Sequence, residues 1–201
     1  MTESLILASA SPQRARLLKQ LGLAFTAIPA DIDETPRPDE SPETLAERLS
    51  RTKAEALSAA YPAARILGSD TVVALGDEAF GKPKDQADAY RMLSRLGGTT
   101  HRVITGIALF SAGITTTRTV VSEVTLDRFD DTAIATYWAT GEPQGAAGAY
   151  AIQGHAAQFV AYLSGSYSAV MGLPIYETAA LLRMSGLDPL IDAKPHTRES
   201  L

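Results

Sequence analysis

Residues 5–23, LILASASPQRARLLKQLGL, leave the fold little freedom. Residues 5–8 form an apolar run of strand length. Three positions on, Ser11 offers a helix N-cap, and Pro12 suits the first helical position, where no backbone N–H is needed. Leu17, Leu18 and Leu21 recur at helical spacing, and Gly22 supplies the stop. A strand that passes so directly into a helix points to an α/β fold. The junction is also suited to holding an anion, because a helix N-terminus offers unpaired N–H groups and the positive end of its dipole.

The alternation continues downstream. AFTAIPADIDETPRPDE reads as a strand entering a proline-rich acidic loop, and Ser41-Pro42 starts a second helix with Leu45, Leu49, Ala56 and Leu57 on one face. RILGSDTVVALGDEAFGKP reads as a strand, a turn at Gly76-Asp77 and a short return. Asp85 caps a third helix with Ala89, Met92, Leu93 and Leu96 inward. Strands then cluster: residues 101–110 and 120–129, joined through Gly113, and two more in AYAIQGHAAQFVAYL, broken near Gly154. Between them Asp131 opens a short helix with Ile134, Tyr137 and Trp138. GSYSAVMGLP reads as a tight loop before a last helix over residues 175–184. The expected architecture is an α/β fold with a mixed sheet, in two lobes around a cleft.

The chain has 201 residues and net charge −5, ample for one such domain. The acidic balance argues against a polymeric nucleic-acid partner but leaves a small anionic substrate open, since local charge decides that. Cysteine is absent, which excludes thiolate zinc sites and cysteine nucleophiles and fits a reducing cytoplasm. The N-terminus has no signal-peptide pattern, and no apolar stretch reaches membrane-spanning length.

Three charges stand where a plain core would not place them. Asp70 lies inside ILGSDTVVAL, with β-prone apolar residues on both sides. Burying an isolated carboxylate there costs several kcal/mol, enough to force pairing, protonation or metal binding. Lys53 continues the inward row Leu45, Leu49 at four-residue spacing. It is either a snorkelling core lysine or an ammonium aimed at an anion. Lys82 ends Gly76–Lys82, which fits G-x-x-x-x-G-K, but Pro83 replaces the Ser or Thr of a P-loop and removes an N–H. Taken alone, Lys82 reads as a solvated turn lysine. Asp31–Glu34 is an acidic loop, and Glu34 with Asp70 would suit magnesium, which takes one or two carboxylates plus phosphate oxygens.

Ser9, Ser11 and Arg14 at the first helix start, with Lys53 and Lys82, make a polyanion site; Asp70 with Glu34 makes a metal site. Together they suggest phosphoanhydride hydrolysis. His101, His155 and His196 have no metal-ligand spacing and read as structural or exposed. Ser164-Gly165-Ser166 and Gly172-Leu173-Pro174 read as turns that could wall a ligand pocket.

The segments LASASPQRARLLKQLGL, DIDE, RLSRTKAEAL, ILGSDTVV, GKPKD, GEPQGAAGAYAIQG and GSYSAVMGLPIYE, in this order, resemble the Maf family of nucleoside triphosphate pyrophosphatases. The resemblance implies a fold related to the inosine triphosphate pyrophosphatases, with an elongated mixed sheet and two lobes around a cleft. One domain would span residues 1–187, followed by a polar tail at 188–201. It implies a Mg2+- or Mn2+-dependent split of a nucleoside triphosphate into monophosphate and pyrophosphate, in a homodimer. By matching position, Asp70 would be the proton acceptor, and Ser9, Arg14, Glu34, Lys53, Lys82 and Gln153 would fall on the family's remaining site positions. Joined to the reading of the residues, this makes Lys53 and Lys82 catalytic cations, Glu34 and Asp70 metal ligands, and Ser9, Ser11, Arg14, Thr71 and Gln153 the expected substrate-binding set. Thr71 and Gln153 resemble the branch acting on dTTP and UTP rather than the 7-methyl-GTP branch. Gln13, a further substrate-side position, stands where that branch has arginine, and it bears on base preference. The alternatives are a pyrophosphatase of 7-methyl-GTP or another modified nucleotide, and a triphosphate-binding regulator that does not hydrolyse its ligand.

Overall fold

A computed structural model describes residues 4–193. Its elements follow the chain as β1 (Leu5–Leu7), α1 (Pro12–Lys19), β2 (Phe25–Ala27), α2 (Pro42–Ala56), β3 (Arg65–Leu75), β4 (Glu78–Phe80) and α3 (Gln86–Leu96). Then come β5 (Thr100–Ser111), β6 (Ile114–Leu126), α4 (Asp131–Ala139), β7 (Val160–Ser164), α5 (Tyr167–Val170) and α6 (Ile175–Met184). Three 3-10 turns, Glu142–Gly145, Ala147–Ala149 and His155–Phe159, separate α4 from β7. The strands make one mixed sheet in the order β2-β1-β3-β5-β6-β7, with β4 folded back on β3. β1 runs parallel to β2 and β3, and the remaining pairs are antiparallel.

The expected caps are present. The Ser11, Ser41 and Asp85 side chains each accept from the backbone N–H three residues on, and Pro12 and Pro42 open their helices. Leu17 and Leu18 of α1 are buried with Leu7, Leu67 and Ile107 of the sheet and Leu181 and Leu182 of α6. Full burial of a leucine contributes roughly 2 kcal/mol, so this face fixes where α1 aims its N-terminus. A second cluster, including Phe80, Met92, Leu93, Leu96, Val124 and Ile134, holds α3 and α4 on the far part of the sheet. On α2, Leu45, Leu49 and Lys53 are buried as the spacing implied, but Ala56 is exposed.

Two glycines let α2 lie directly on the sheet. A Cβ at Gly68 of β3 would overlap the Ser50 carbonyl oxygen and come 2.8 Å from the Ala54 nitrogen; one at Gly106 of β5 would overlap the Ala46 carbonyl. Gly106→Ala is therefore expected to push α2 outward and cost about 2–3 kcal/mol, by overpacking, in urea unfolding. The same displacement would withdraw Lys53 and lower activity with stability.

Four expectations need correction. β6 begins at Ile114, six residues before the expected start, because the threonine run is β-branched and fits a half-buried strand. The segment expected as two strands around Gly154 contains one, β7; its first half is 3-10 turn, with N–H groups bonded to the side chains of Tyr137 and Glu142 instead of a neighbouring strand. GSYSAVMGLP is not all loop: it holds the one-turn helix α5, capped by Ser166. Of the tail, residues 188–193 form a turn closed by Asp188 and Asp192, and residues 194–201, with His196, lie outside the described residues.

His101 is buried and its Nε2 meets the Tyr150 hydroxyl at 2.8 Å. Burial holds its pKa down to about 4, against an ordinary 6.5. The neutral form is thus favoured when folded. Its contribution is complete above pH 6.5 and is lost as pH falls from 6.5 toward 4, where only the unfolded chain takes the proton. Across that window it removes about 3 kcal/mol, at about 1.4 kcal/mol per pH unit. Urea unfolding at several pH values should show this extra acid slope in the native protein and its loss in His101→Gln.

Candidate active site

The site begins with a break in strand pairing. β1 accompanies β3 only over Arg65–Leu67, and β4 returns to it only over Val73–Leu75. Between them, Gly68–Val72 has β5 on one side and, among the described residues, no strand on the other. This crevice lies just past the carboxyl end of parallel β1, the usual place for a ligand in an open α/β sheet. Ser9 and the start of α1 flank it, and Asp70 and Thr71 lie within it.

Asp70 faces α2, on the same side of β3 as Gly68. It is 7% exposed, and its Oδ1 lies 2.6 Å from the Nζ of Lys53, itself 6% exposed. The same Nζ lies 2.7 Å from Oε1 of Glu34, which comes from the acidic loop and keeps about half its side chain in solvent (53% exposed). The buried aspartate of the sequence is therefore paired, and Lys53 points inward at anions instead of snorkelling. Burial opposes ionisation of Glu34, but the hydrogen bond and charge of Lys53, with the charges of Lys82 and Arg14, outweigh it and hold its pKa below the ordinary value.

Arg14 occupies the other face of β3. Its Nε donates to the Gly172 carbonyl at 3.0 Å, and its terminal nitrogens reach Ser9 Oγ and Thr71 Oγ1, each at 3.4 Å. Thr105 donates its hydroxyl to the Ala169 carbonyl at 2.7 Å, so the 3.1 Å contact between Thr71 and Thr105 has Thr71 as donor. A directed chain results, from Arg14 to Thr71 to Thr105 to Ala169. Gly172 also accepts from Ser69 Oγ at 2.8 Å. Three of the five guanidinium N–H bonds are used in holding the group, leaving two for a ligand. Burial lowers the Arg14 pKa, and the charges of Asp70 and Glu34 raise it in part.

Eight of the expected residues thus come together: Ser9, Ser11, Arg14, Glu34, Lys53, Asp70, Thr71 and Lys82. Lys82 stands exposed between Gly81 and Pro83, close enough for its charge to favour ionised Glu34. The stretch before it is a turn and strand β4, not a P-loop. The backbone cradle is thinner than the sequence implied: Ser9 Oγ already accepts from Ser11 N–H, and Ser11 Oγ from Arg14 N–H. Gln13 is half-buried, its Oε1 shielded and without a partner among the described residues. Gln153 sits in a turn of the segment joined to the Lys82 loop by the Gly148 N–H to Gly81 carbonyl bond. Sequence reasoning did not single out Ser69 or Thr105 and left Gly172 as a possible pocket wall. Gly172 acts through its carbonyl, which has no side-chain signature.

The carboxylate pair fits a divalent cation. Oxygens of Glu34 and Asp70 converge on one point, now held by the Lys53 ammonium, and two carboxylates suit a magnesium ion that takes its other ligands from phosphate and water. Among the described residues no group of three or more His, Cys, Asp or Glu could hold a metal by itself. No helix among them is long and apolar enough to cross a membrane.

Curated relatives named dTTP/UTP pyrophosphatase share this sequence over most of its length. The protein from Xanthomonas oryzae pv. oryzae is 50% identical over 187 residues, covering 90% of this chain and 98% of its own. That from Pseudoalteromonas translucida is 46% identical over 184 residues, covering 91% and 97%. A solved structure of the Staphylococcus aureus Ham1 protein, at 15% identity and a TM-score of 0.46, covers 62% of this chain and 72% of that one, too distant to bear on the fold or the activity. The family model for Maf-like proteins spans residues 4–185, from β1 through Lys53, Asp70 and Gly172 to the end of α6, and the chain belongs to the Maf family.

Proposed function

We propose that this protein hydrolyses nucleoside triphosphates to the monophosphate and pyrophosphate, with dTTP and UTP as substrates. The observation that carries the reading is the buried Asp70–Lys53 pair, met by the half-exposed Glu34, on the face of β3 opposite Arg14. A site that only holds a polyanion needs cations and neutral donors. Two carboxylates converging beside those cations suit a site that must also take a proton and hold a metal.

In this reading Arg14 and Lys82 bind phosphate oxygens, with Ser9 and Ser11 at the helix start. Asp70 orients the attacking water and takes its proton. Lys53 fixes the Asp70 carboxyl and offsets charge on the phosphates. Glu34 and Asp70 would hold Mg2+ or Mn2+, which when bound neutralises phosphate charge and polarises the bond to be split. Thr71 aligns Arg14, while Gln153 and Gln13 face the nucleoside. The names borne by the curated relatives support the pyrimidine substrates. The reading includes a single two-lobed domain over residues 1–187 and a cytoplasmic homodimer.

The test is a panel: dTTP, UTP, dCTP, GTP and 7-methyl-GTP, each with Mg2+ or Mn2+, followed by pyrophosphate release. The expected ranking places dTTP and UTP first in kcat/KM. A preference for 7-methyl-GTP would move the protein to the other branch. A thermal shift with nucleotide but no product after long incubation would make it a binding regulator.

A further inference from the structure

The segment between α4 and β7 is fastened in an unusual way. Several of its N–H groups bond to carbonyls of its own turns, and three, those of Ala151, His155 and Ala156, bond to two side chains instead. The Tyr137 hydroxyl accepts from Ala151 N–H at 3.1 Å and donates to Glu142 Oε1 at 2.6 Å. Glu142 Oε2 accepts from His155 N–H at 2.8 Å, and Oε1 from Ala156 N–H at 3.4 Å. These bonds fall two residues before Gln153 and two and three residues after it. Gly154 rests on the carboxylate so closely that a Cβ there would overlap both Glu142 oxygens. Hydrogen bonds to a carboxylate are shorter and about twice as strong as neutral ones, so the clamp is stiff.

Packing anchors the turn at Ile152 and Ala156, both buried in the core, and leaves an open pocket of about 350 Å³ on its other side, lined by Thr136, Tyr137, Thr140, His155, Gln158 and Phe159. The half-buried Gln153, in the middle of the turn, makes no side-chain hydrogen bond among the described residues. An amide reads a base edge only in a fixed orientation, because its oxygen accepts and its nitrogen donates. A thymine or uracil edge, with a ring N–H donor beside a carbonyl acceptor, is complementary to one setting of that amide; a cytosine edge reverses the pattern.

We propose that Glu142 and Tyr137 are positioning residues: by fixing the backbone on both sides of Gln153 they place its amide where a thymine or uracil edge would meet it, and so set the base selectivity of the site. The inference rests on the reading of Gln153 as a nucleoside-facing residue. It assigns Glu142 no contact with the reacting atoms.

The experiment compares kcat and KM for dTTP and dCTP in the native protein and in Glu142→Ala, Glu142→Gln, Tyr137→Phe and Gln153→Ala. Tyr137→Phe keeps the buried ring and loses only the hydroxyl, which guards against a result caused by misfolding; thermal melts check each variant. Glu142→Ala and Tyr137→Phe are expected to lower the dTTP:dCTP ratio of kcat/KM by ~5–10-fold, mainly through KM for dTTP, with kcat for dTTP within ~3-fold of native. Glu142→Gln, which keeps one acceptor oxygen, should fall between. An unchanged ratio in folded Glu142→Ala and Tyr137→Phe, or an equal loss of kcat for both nucleotides, overturns the proposal. If Gln153→Ala leaves the ratio untouched, the reading of Gln153 itself fails; if it changes the ratio and the clamp variants do not, only the positioning role fails.

Discussion

Asp70→Asn is expected to lower kcat for triphosphate hydrolysis by at least ~10²-fold, the usual cost of losing a positioned base. The substitution keeps the size and hydrogen-bonding reach of the side chain, so β3 and the crevice beside it stay as they are. What it removes is the charge that Lys53 meets at 2.6 Å and the group that can take a proton from water. Nucleotide binding should survive, because Arg14 is held by Gly172, Ser9 and Thr71 and not by Asp70. Steady-state kinetics with dTTP and a direct binding titration separate the two effects. Turnover near the native value would take Asp70 out of the chemistry.

Lys53→Met has the second large effect, on stability as well as rate. Methionine fills the volume of the lysine stem but leaves two carboxylates facing each other without their shared cation. Removing one partner of a buried pair costs about 3–5 kcal/mol, and the half-exposed Glu34 and its access to water put this case at the lower end. Adding Asp70→Asn should recover part of the loss, because the uncompensated buried charge goes with it. A double-mutant cycle in urea should give a coupling of at least ~1 kcal/mol. Mn2+ should raise the melting temperature of Lys53→Met more than that of the native protein, since the carboxylates have lost the ammonium that competes for the same point. Strict additivity in the cycle would mean that the 2.6 Å contact carries no net energy.

The parts of this fold that the sequence made legible are those governed by short-range rules. Ser11-Pro12, Ser41-Pro42 and Asp85 signal helix starts because a cap acts within three residues. Lys53 and Asp70 were legible because each violates a strong local pattern, an inward helical row and an apolar strand. Segment 150–159 was not, because the groups that decide its conformation, Tyr137 and Glu142, lie on other turns of chain and replace a ladder that its alternation of residues suggests. Gly172 was only half legible for a related reason: the carbonyl of any residue could hold Arg14, and only the tertiary fold selects this one. The gap in pairing along Gly68–Val72 depends on where β1 and β4 stop, which no local pattern in β3 records.

The bond that is broken tests the whole account most directly. Phosphorus-31 NMR of dTTP incubated with the native protein and Mg2+ or Mn2+ distinguishes every product. The expected result is dTMP and pyrophosphate in equal amounts, with no orthophosphate and no dTDP, and the loss of both signals in Asp70→Asn. Accumulation of dTDP with orthophosphate, or dTTP left intact while bound, would contradict it.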